Sequence, residues 1–556
     1  MLGCIRRRSD LISLVILFVS FRFFALMLLR PGGFIADYSD FNTSFLPFAR
    51  WSRYALYPYV HFWMEYPPLF PWLVVVLYRL SLLLPPWNDP RLWFNTLMGL
   101  TVLAFEVGNL MLIYLIGCRI WGRDKGRLAG WFYLGLFAPF YTALGWFDNP
   151  PLFFILLALY LWLLKGNLGP RFRWASGIAL GIGFMLKIVP GLALPLGFRL
   201  FPKKKSLLLY ASAFTITVAL ISAPFFLQNP RLFITSFRAM AGRSSWETVW
   251  ALVDNYYSYG VIAGDRFSTP ESFAVHPSRI PGIVPFLLWS VVYLGILSYR
   301  GGWGESRRLV AAVALVFTSY FLFAKGYSPQ HIVYLLPFII LLMPNLKGIV
   351  YAIILTWFNL MEATGYFIMF PDQQWLLMLT VAMRTLTLLA LCIEYATSLW
   401  GGRLSHLARW AFTGWLLIAL GAAVLSIPRL GGAYFHTRIA QEPCHELISR
   451  VALHKPEGDV ALLFLGGELH DRLYPYLPRS IPVYLLPEEP LSTGALGEER
   501  AKFITRVRGQ LNGFWVVVDK GNPSDQEALA WLEGFLGQGE TVIEAGQCAV
   551  ISYPLK

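Results

Sequence analysis

The chain reads as a polytopic α-helical membrane protein of about thirteen spans that ends in a small water-soluble α/β domain. Three observations carry that reading. Of its 556 residues, 56% are hydrophobic and only 14% charged, and mean hydropathy is +0.55; soluble domains carry about 25% charged residues. Long apolar runs recur from residue 11 to residue 427, and a spanning helix needs ~20 apolar residues. The charge is also divided. Residues 429–556 hold 12 Lys and Arg against 16 Asp and Glu, or −4, which leaves +18 on the rest and +14 overall.

That division argues against a nucleic-acid partner. The basic residues fall in separate short clusters between apolar runs, the pattern of Lys- and Arg-loaded cytoplasmic loops. The five cysteines show no metal-ligand spacing. Cys444 and Cys548 either pair, if the tail lies in an oxidising compartment, or stay free thiols.

In chain order, Arg6, Arg7 and Arg8 precede the apolar run 11–29, and no small-residue cleavage site follows. An uncleaved first helix with a cytoplasmic N-terminus is expected. Residues 31–68 then form the first external loop. The piece 69–84 is short for a span and reads as re-entrant or interfacial, whereas 92–116 crosses to the basic cluster Arg119, Arg123, Lys125 and Arg127. A span from about Leu128 leads out to GWFDNPP, and another returns from Leu152. Residues 174–200 are too long for one span and break at LKIVP, since Pro190 inside a continuous helix would cost ~3 kcal/mol. After a span over 207–226 comes a second long external loop, 228–281, and later spans begin near Ile283, Leu309, His331, Ile349, Trp375 and Arg409. This makes 1–428 the membrane domain of a multi-pass plasma-membrane protein and places 429–556 outside. The tail shows five short strand patterns with helical periodicity over 498–511 and 525–536, and no Gly-rich phosphate loop.

Chemistry concentrates in the first loop, FIADYSDFNTSFLPFARWSRYALYPYVHFWMEYPPLFPW. Asp37 and Asp40 sit at the mouth of the first helix, where a carboxylate beside a low-dielectric interior is costly without a partner. Either is a candidate general base, with Asp40 favoured because the aromatic run 41–51 follows it; a helix cap or a pair with Arg50 or Arg53 is the structural alternative. No cofactor is certain. Mg or Mn, held by Asp37 and Asp40, is the metal that these residues would allow. Glu65 and Tyr66 open the EYPPLF turn as candidate substrate contacts. Lys187 lies at the break in LKIVP and either binds an anion or snorkels to the interface. KGYSPQH groups Lys325, Gln330 and His331, which suit a phosphate and a sugar hydroxyl; Asp148, in FDNPP, and Arg243 are further external candidates. There is no GxSxG elbow, HExxH, Walker loop or CxxC.

With these motifs in this order, the chain resembles the GT-C superfamily of polytopic glycosyltransferases over residues 1 to about 345. The resemblance rests on ADYSDF, the YPPL-type motif, FDNPP, the Lys-x-x-Pro break at Lys187 and Pro190, and SPQ followed by LLP at 328–337. It implies inverting transfer of a sugar from a polyprenyl-phosphate donor to a lipid, glycan or protein hydroxyl at the outer face. A first-loop Asp would be the base, and Lys187, Lys325, His331 and Arg53 would lie on the phosphate side. Its nearby cations are expected to keep that Asp ionised. Tyr66 stands where the aminoarabinose-transferase and O-mannosyltransferase branch has Lys, which favours mannosyltransferase-like members. The competing class is a multi-pass transporter or flippase of lipid-linked sugars, which predicts ionisable residues deep in several helices.

Overall fold

The computed structural model describes residues 2–28, 39–85, 91–164, 171–262, 265–299, 301–401, 404–435, 444–453, 460–474, 477, 481–487, 496–508 and 511–555. The chain divides into a larger unit of Met1–Leu28, Ser39–Leu83 and Phe94–Arg429, and a smaller one built mainly on Leu430–Lys556.

The larger unit is helical. Among the described residues, 7 helices are long and apolar enough to cross a membrane: Asp10–Leu28, Leu92–Trp121, Lys204–Gln228, Ser306–Phe323, Leu346–Met369, Gln374–Leu399 and Ser405–Leu430. Shorter apolar helices accompany them at Leu69–Ser81, Asn149–Leu163, Phe172–Leu186, Val189–Leu200, Ile283–Ser298 and Pro329–Leu342. The protein is a multi-pass membrane protein. Its outer helices leave Leu220, Leu227, Leu417 and Leu425 exposed, as lipid-facing side chains must be. By contrast Val310, Ala311, Ala312, Val313 and Ala314 of Ser306–Phe323 are fully enclosed.

Proline sets the breaks. The helix Arg171–Leu186 stops four residues before Pro190, whose ring would clash with the Leu186 carbonyl, and a tight 3₁₀ run Val189–Leu196 resumes beyond Lys187. Pro139 acts in the same way on a stretch expected to be one span from about Leu128. The helix Arg123–Gly135 ends four residues before it, Leu136 is extended, and a second helix runs Phe137–Ala143. Leu69–Ser81 has 13 residues, a length of ~20 Å against a hydrocarbon core of ~30 Å.

The smaller unit holds a five-stranded sheet in the order β2-β1-β3-β5-β4. Its strands are β1 (Val460–Phe464), β2 (Val483–Leu485), β3 (Gly513–Asp519), β4 (Glu540–Ala545) and β5 (Cys548–Pro554). β2, β1 and β3 pair in parallel, and β5 pairs antiparallel with β3 and β4. Alternate residues of β1 and β3 feed two apolar layers, Leu462, Phe464 and Val517 on one face and Ala461, Leu463 and Val516 on the other. Helices His445–Leu453 and Gly467–Leu473, absent from the sequence reading, join the expected Leu496–Arg508 and Pro523–Leu536.

Cys444 and Cys548 are joined as a disulfide with Cα atoms 5.5 Å apart. Asp519 lies beside them, its carboxylate oxygen and the two sulfurs falling within 4.8 Å of one another. With both sulfurs in the bridge, that group offers no thiolate to a metal. The bridge closes a loop with a sequence separation of 104. Cys444→Ser is expected to destabilise the sheet unit by about 2–5 kcal/mol. Limited proteolysis of the full chain, with and without reductant, measures this: cleavage within 445–547 rises for the variant and for the reduced wild type alike.

Candidate active site

Asp40 is half-buried at the start of a π-helical turn, Phe41–Phe45. Two contacts seat that turn: Phe41 N–H donates to the Gly145 carbonyl at 3.1 Å, and Thr43 N–H to Ser39 O at 3.0 Å. A side chain at Gly145 would collide with Ser39, so glycine permits the approach. Beneath lies one apolar cluster containing Phe41, Phe45, Phe70, Phe147 and Leu186. Phe41, Phe147 and Leu186 adjoin Asp40, Asp148 and Lys187 in sequence, so a single core positions all three charged residues.

Above that core, Lys187 Nζ lies 2.5 Å from Asp148 Oδ1 and 3.4 Å from His331 Nε2. His331 is held by a reciprocal cap: its Nδ1 accepts from the Ser328 backbone N–H at 3.1 Å. That bond leaves the proton of a neutral imidazole on Nε2, which then faces the Lys187 ammonium. Two donors therefore border one position, where an acceptor oxygen would satisfy both. Gln330 Nε2 donates to Asp40 Oδ2 at 3.4 Å, bringing the Asp40 loop against the KGYSPQH turn.

Glu65 forms a third centre. Its carboxylate takes Arg266 Nη2 at 2.6 Å and Arg243 Nη1 at 3.3 Å. The Arg266 guanidinium lies 4.2 Å from the Trp63 ring centroid, and that of Arg243 lies 4.2 Å from Trp246. The Trp246 indole sits against Gly260 and Gly326, where any side chain would strike the ring, and its backbone pairs with Lys325 and Tyr327 at 3.1 and 3.2 Å. First and second loops are thereby tied together: Trp63 N–H donates to Arg266 O at 3.0 Å, and Met64 N–H to Ser236 Oγ at 3.3 Å. Tyr59 OH donates to the Tyr66 carbonyl, and the Tyr66 ring packs edge-on against Phe70 at 5.0 Å. Beside this aromatic turn, Phe45, Phe48, Phe62, Phe70 and Val74 line a small apolar recess.

The electrostatics differ from the sequence expectation at Asp40. Burial pushes its carboxyl up to about 7; Lys187 and Arg243 pull it down, while Asp148 and Glu65 push it further up. Cations were expected to hold this group low, but they are shared with two other carboxylates, so desolvation prevails. At Asp148 burial also pushes up, yet direct contact with the Lys187 ammonium outweighs it and holds the carboxyl below its ordinary range. Lys325 donates to Ala241 O at 2.8 Å, and its ammonium is depressed by burial and then by the Arg243 charge.

Most of the residues singled out in the sequence thus meet: Asp40 with Gln330; Lys187 with Asp148 and His331; Glu65 with Arg243. Arg53 contributes to neither the Asp148 nor the Glu65 ion pair; it is exposed, with its guanidinium 5.6 Å from the Tyr78 ring centroid. Asp37, and with it the Asp37–Asp40 metal pair, lies outside the described residues. Sequence reasoning missed Arg266, which lies 201 positions from the Glu65 it clamps. It also missed Arg384, which pairs with the fully buried Glu362 and donates to the Glu247 carbonyl; Glu247 adopts a positive φ of 53° and is buried. A lone acid in the apolar run 346–369 was the available signal for Glu362.

No protein-family model and no curated protein matches the chain. Among solved structures, ArnT from Cupriavidus metallidurans, bound to undecaprenyl phosphate, is similar at 15% identity over 97% of each chain, with a TM-score of 0.44. The oligosaccharyltransferase from Archaeoglobus fulgidus in its apo form is similar at 12% identity over 92% of this chain and 69% of that one, with a TM-score of 0.34.

Proposed function

We propose that the protein is an inverting glycosyltransferase of the GT-C type. It moves a sugar from a polyprenyl-phosphate donor to a hydroxyl of a lipid, glycan or protein acceptor at the outer membrane face, with the N-terminus cytoplasmic and the sheet unit outside. The observation that carries this reading is the contact of Asp40 with Gln330, which brings it to the turn where Lys187 and His331 face each other.

In this mechanism Asp40 takes the proton of the acceptor hydroxyl as that oxygen attacks the anomeric carbon from the side opposite the phosphate. The bond from the anomeric carbon to the phosphate oxygen breaks, and polyprenyl phosphate leaves with the electron pair. Lys187 and the His331 Nε2–H stabilise the charge that develops on the phosphate, aided by the field of Arg243 and Lys325. Removing one such preorganised donor typically costs ~10²–10³ in rate. Gln330 orients Asp40, and Glu65 and Asp148 hold the cations in place.

The test is transfer from a panel of radiolabelled polyprenyl-phosphate sugars, mannose first, into membranes holding the wild-type protein. Transfer from one donor supports the reading, and transfer from none overturns it. The second reading is a transporter of lipid-linked sugars, favoured by the buried pairs Arg22–Glu106 (2.8 Å) and Arg384–Glu362 within candidate spans. Flux of a lipid-linked sugar across sealed vesicles without covalent transfer would select it.

A further inference from the structure

We propose that Trp121, Lys125 and Arg307 bind the phosphate headgroup of an anionic phospholipid on the membrane face opposite the candidate active site. The three residues come from adjoining helix ends. Trp121 closes Leu92–Trp121, Lys125 lies in the first turn of Arg123–Gly135, and Arg307 is the second residue of Ser306–Phe323. Lys325 follows the other end of that last helix, whose 18 residues extend ~27 Å, enough to put the two clusters at opposite faces.

The indole is fixed, its Nε1–H donating to the Leu341 carbonyl at 2.7 Å. On that fixed ring two cations meet: Lys125 Nζ lies 4.8 Å and the Arg307 guanidinium 4.6 Å from its centroid. Both side chains are exposed, and among the described residues neither has an ion-pair partner. The neighbouring carboxylates are committed elsewhere: Asp10 to Arg123, Glu305 to Arg308 at 2.8 Å, and Glu394 to Lys347. Asp124 is exposed and adjoins Lys125 in sequence, but successive helix residues do not face each other.

A ring quadrupole attracts each cation but does not cancel their mutual repulsion. A phosphodiester does, because it offers charge-assisted hydrogen bonds to both. A lipid is favoured over free phosphate because the surface continues as apolar: Leu128 and Trp131, farther along the Lys125 helix, are 46% and 44% exposed and offer a bed for acyl chains. An aromatic side chain with basic partners at a helix end is also the usual chemistry of a membrane interface.

The test uses the purified full-length chain in neutral detergent, with bound lipid counted by native mass spectrometry during titration with phosphatidylglycerol, phosphatidylcholine or inorganic phosphate. The expected result is saturable phosphatidylglycerol binding that weakens roughly 10–30-fold in Lys125→Gln/Arg307→Gln. Binding should be unchanged in Lys203→Gln/Lys204→Gln, which removes the same charge from an exposed stretch without such a ring. Equal weakening in both double variants would mean diffuse attraction and overturn the site. So would equal binding of phosphatidylcholine by the wild type. Displacement by inorganic phosphate at the same concentration as lipid would reassign the residues to a free anion. If the double variant melts early, the single variants Lys125→Gln and Arg307→Gln read the same binding, and no weakening in either overturns the proposal. None of these readouts depends on glycosyl transfer.

Discussion

Asp40→Asn is expected to lower transfer by about 10²–10⁴-fold, the usual contribution of a general base. Asparagine nearly matches the shape of aspartate, and its side-chain carbonyl can still accept from Gln330 Nε2, so the loop geometry should survive. What it loses is the ability to take a proton. Initial rates of label transfer at saturating donor, with the melting temperature as the control, separate the two. A fall in rate with unchanged melting supports Asp40 as base; an unchanged rate removes it from that role.

The same residue sets a pH signature. Asp40 is active as the carboxylate, and burial places its midpoint at about 7. The rate should therefore rise with pH, with about a tenth of the base form present one unit below the midpoint and about nine-tenths one unit above. Activity is lost as pH falls through neutrality. A profile flat from pH 6 to pH 8 would show that the proton is taken by another group.

Lys187→Met is the second large effect, and it falls on stability as well as rate. Asp148 is 3% exposed and Lys187 18% exposed, 2.5 Å apart. Removing the ammonium leaves a buried carboxylate without its counter-charge, and breaking a buried pair in this way typically costs ~3–5 kcal/mol. Transfer should fall with it, since a donor to the phosphate is gone. Asp148→Asn added to Lys187→Met should restore most of the stability and none of the activity, because the neutral amide no longer demands a cation. Thermal unfolding of both variants in detergent, alongside transfer, checks the pair. A double variant that regains activity would show that Lys187 serves only to neutralise Asp148.

Local physics was enough to read much of this from the residues. The membrane class followed from composition, and the break at Lys187 followed from Pro190, a rule that needs only the chain four residues upstream. The same rule applied to Pro139 would have divided the span expected from about Leu128 to GWFDNPP. The tail strands were legible because alternation has a period of two and both layers of the sheet are apolar.

Partnerships required the fold. Asp40, Asp148 and Lys187 announced themselves as polar groups beside apolar sequence, but that says only that a partner is needed. Which partner depended on packing: Phe41, Phe147 and Leu186 share one core, and that core places Asp40, Asp148 and Lys187 together. Arg266 was invisible for the same reason, since its clamp on Glu65 closes over 201 residues. The sequence by itself determined the membrane class, the helix break at Pro190 and most of the chemically capable residues, because hydropathy, proline and charge act locally. The tertiary structure alone decided which carboxylate is paired low by a cation and which is left to be raised by burial, because that depends on three-dimensional distance and desolvation.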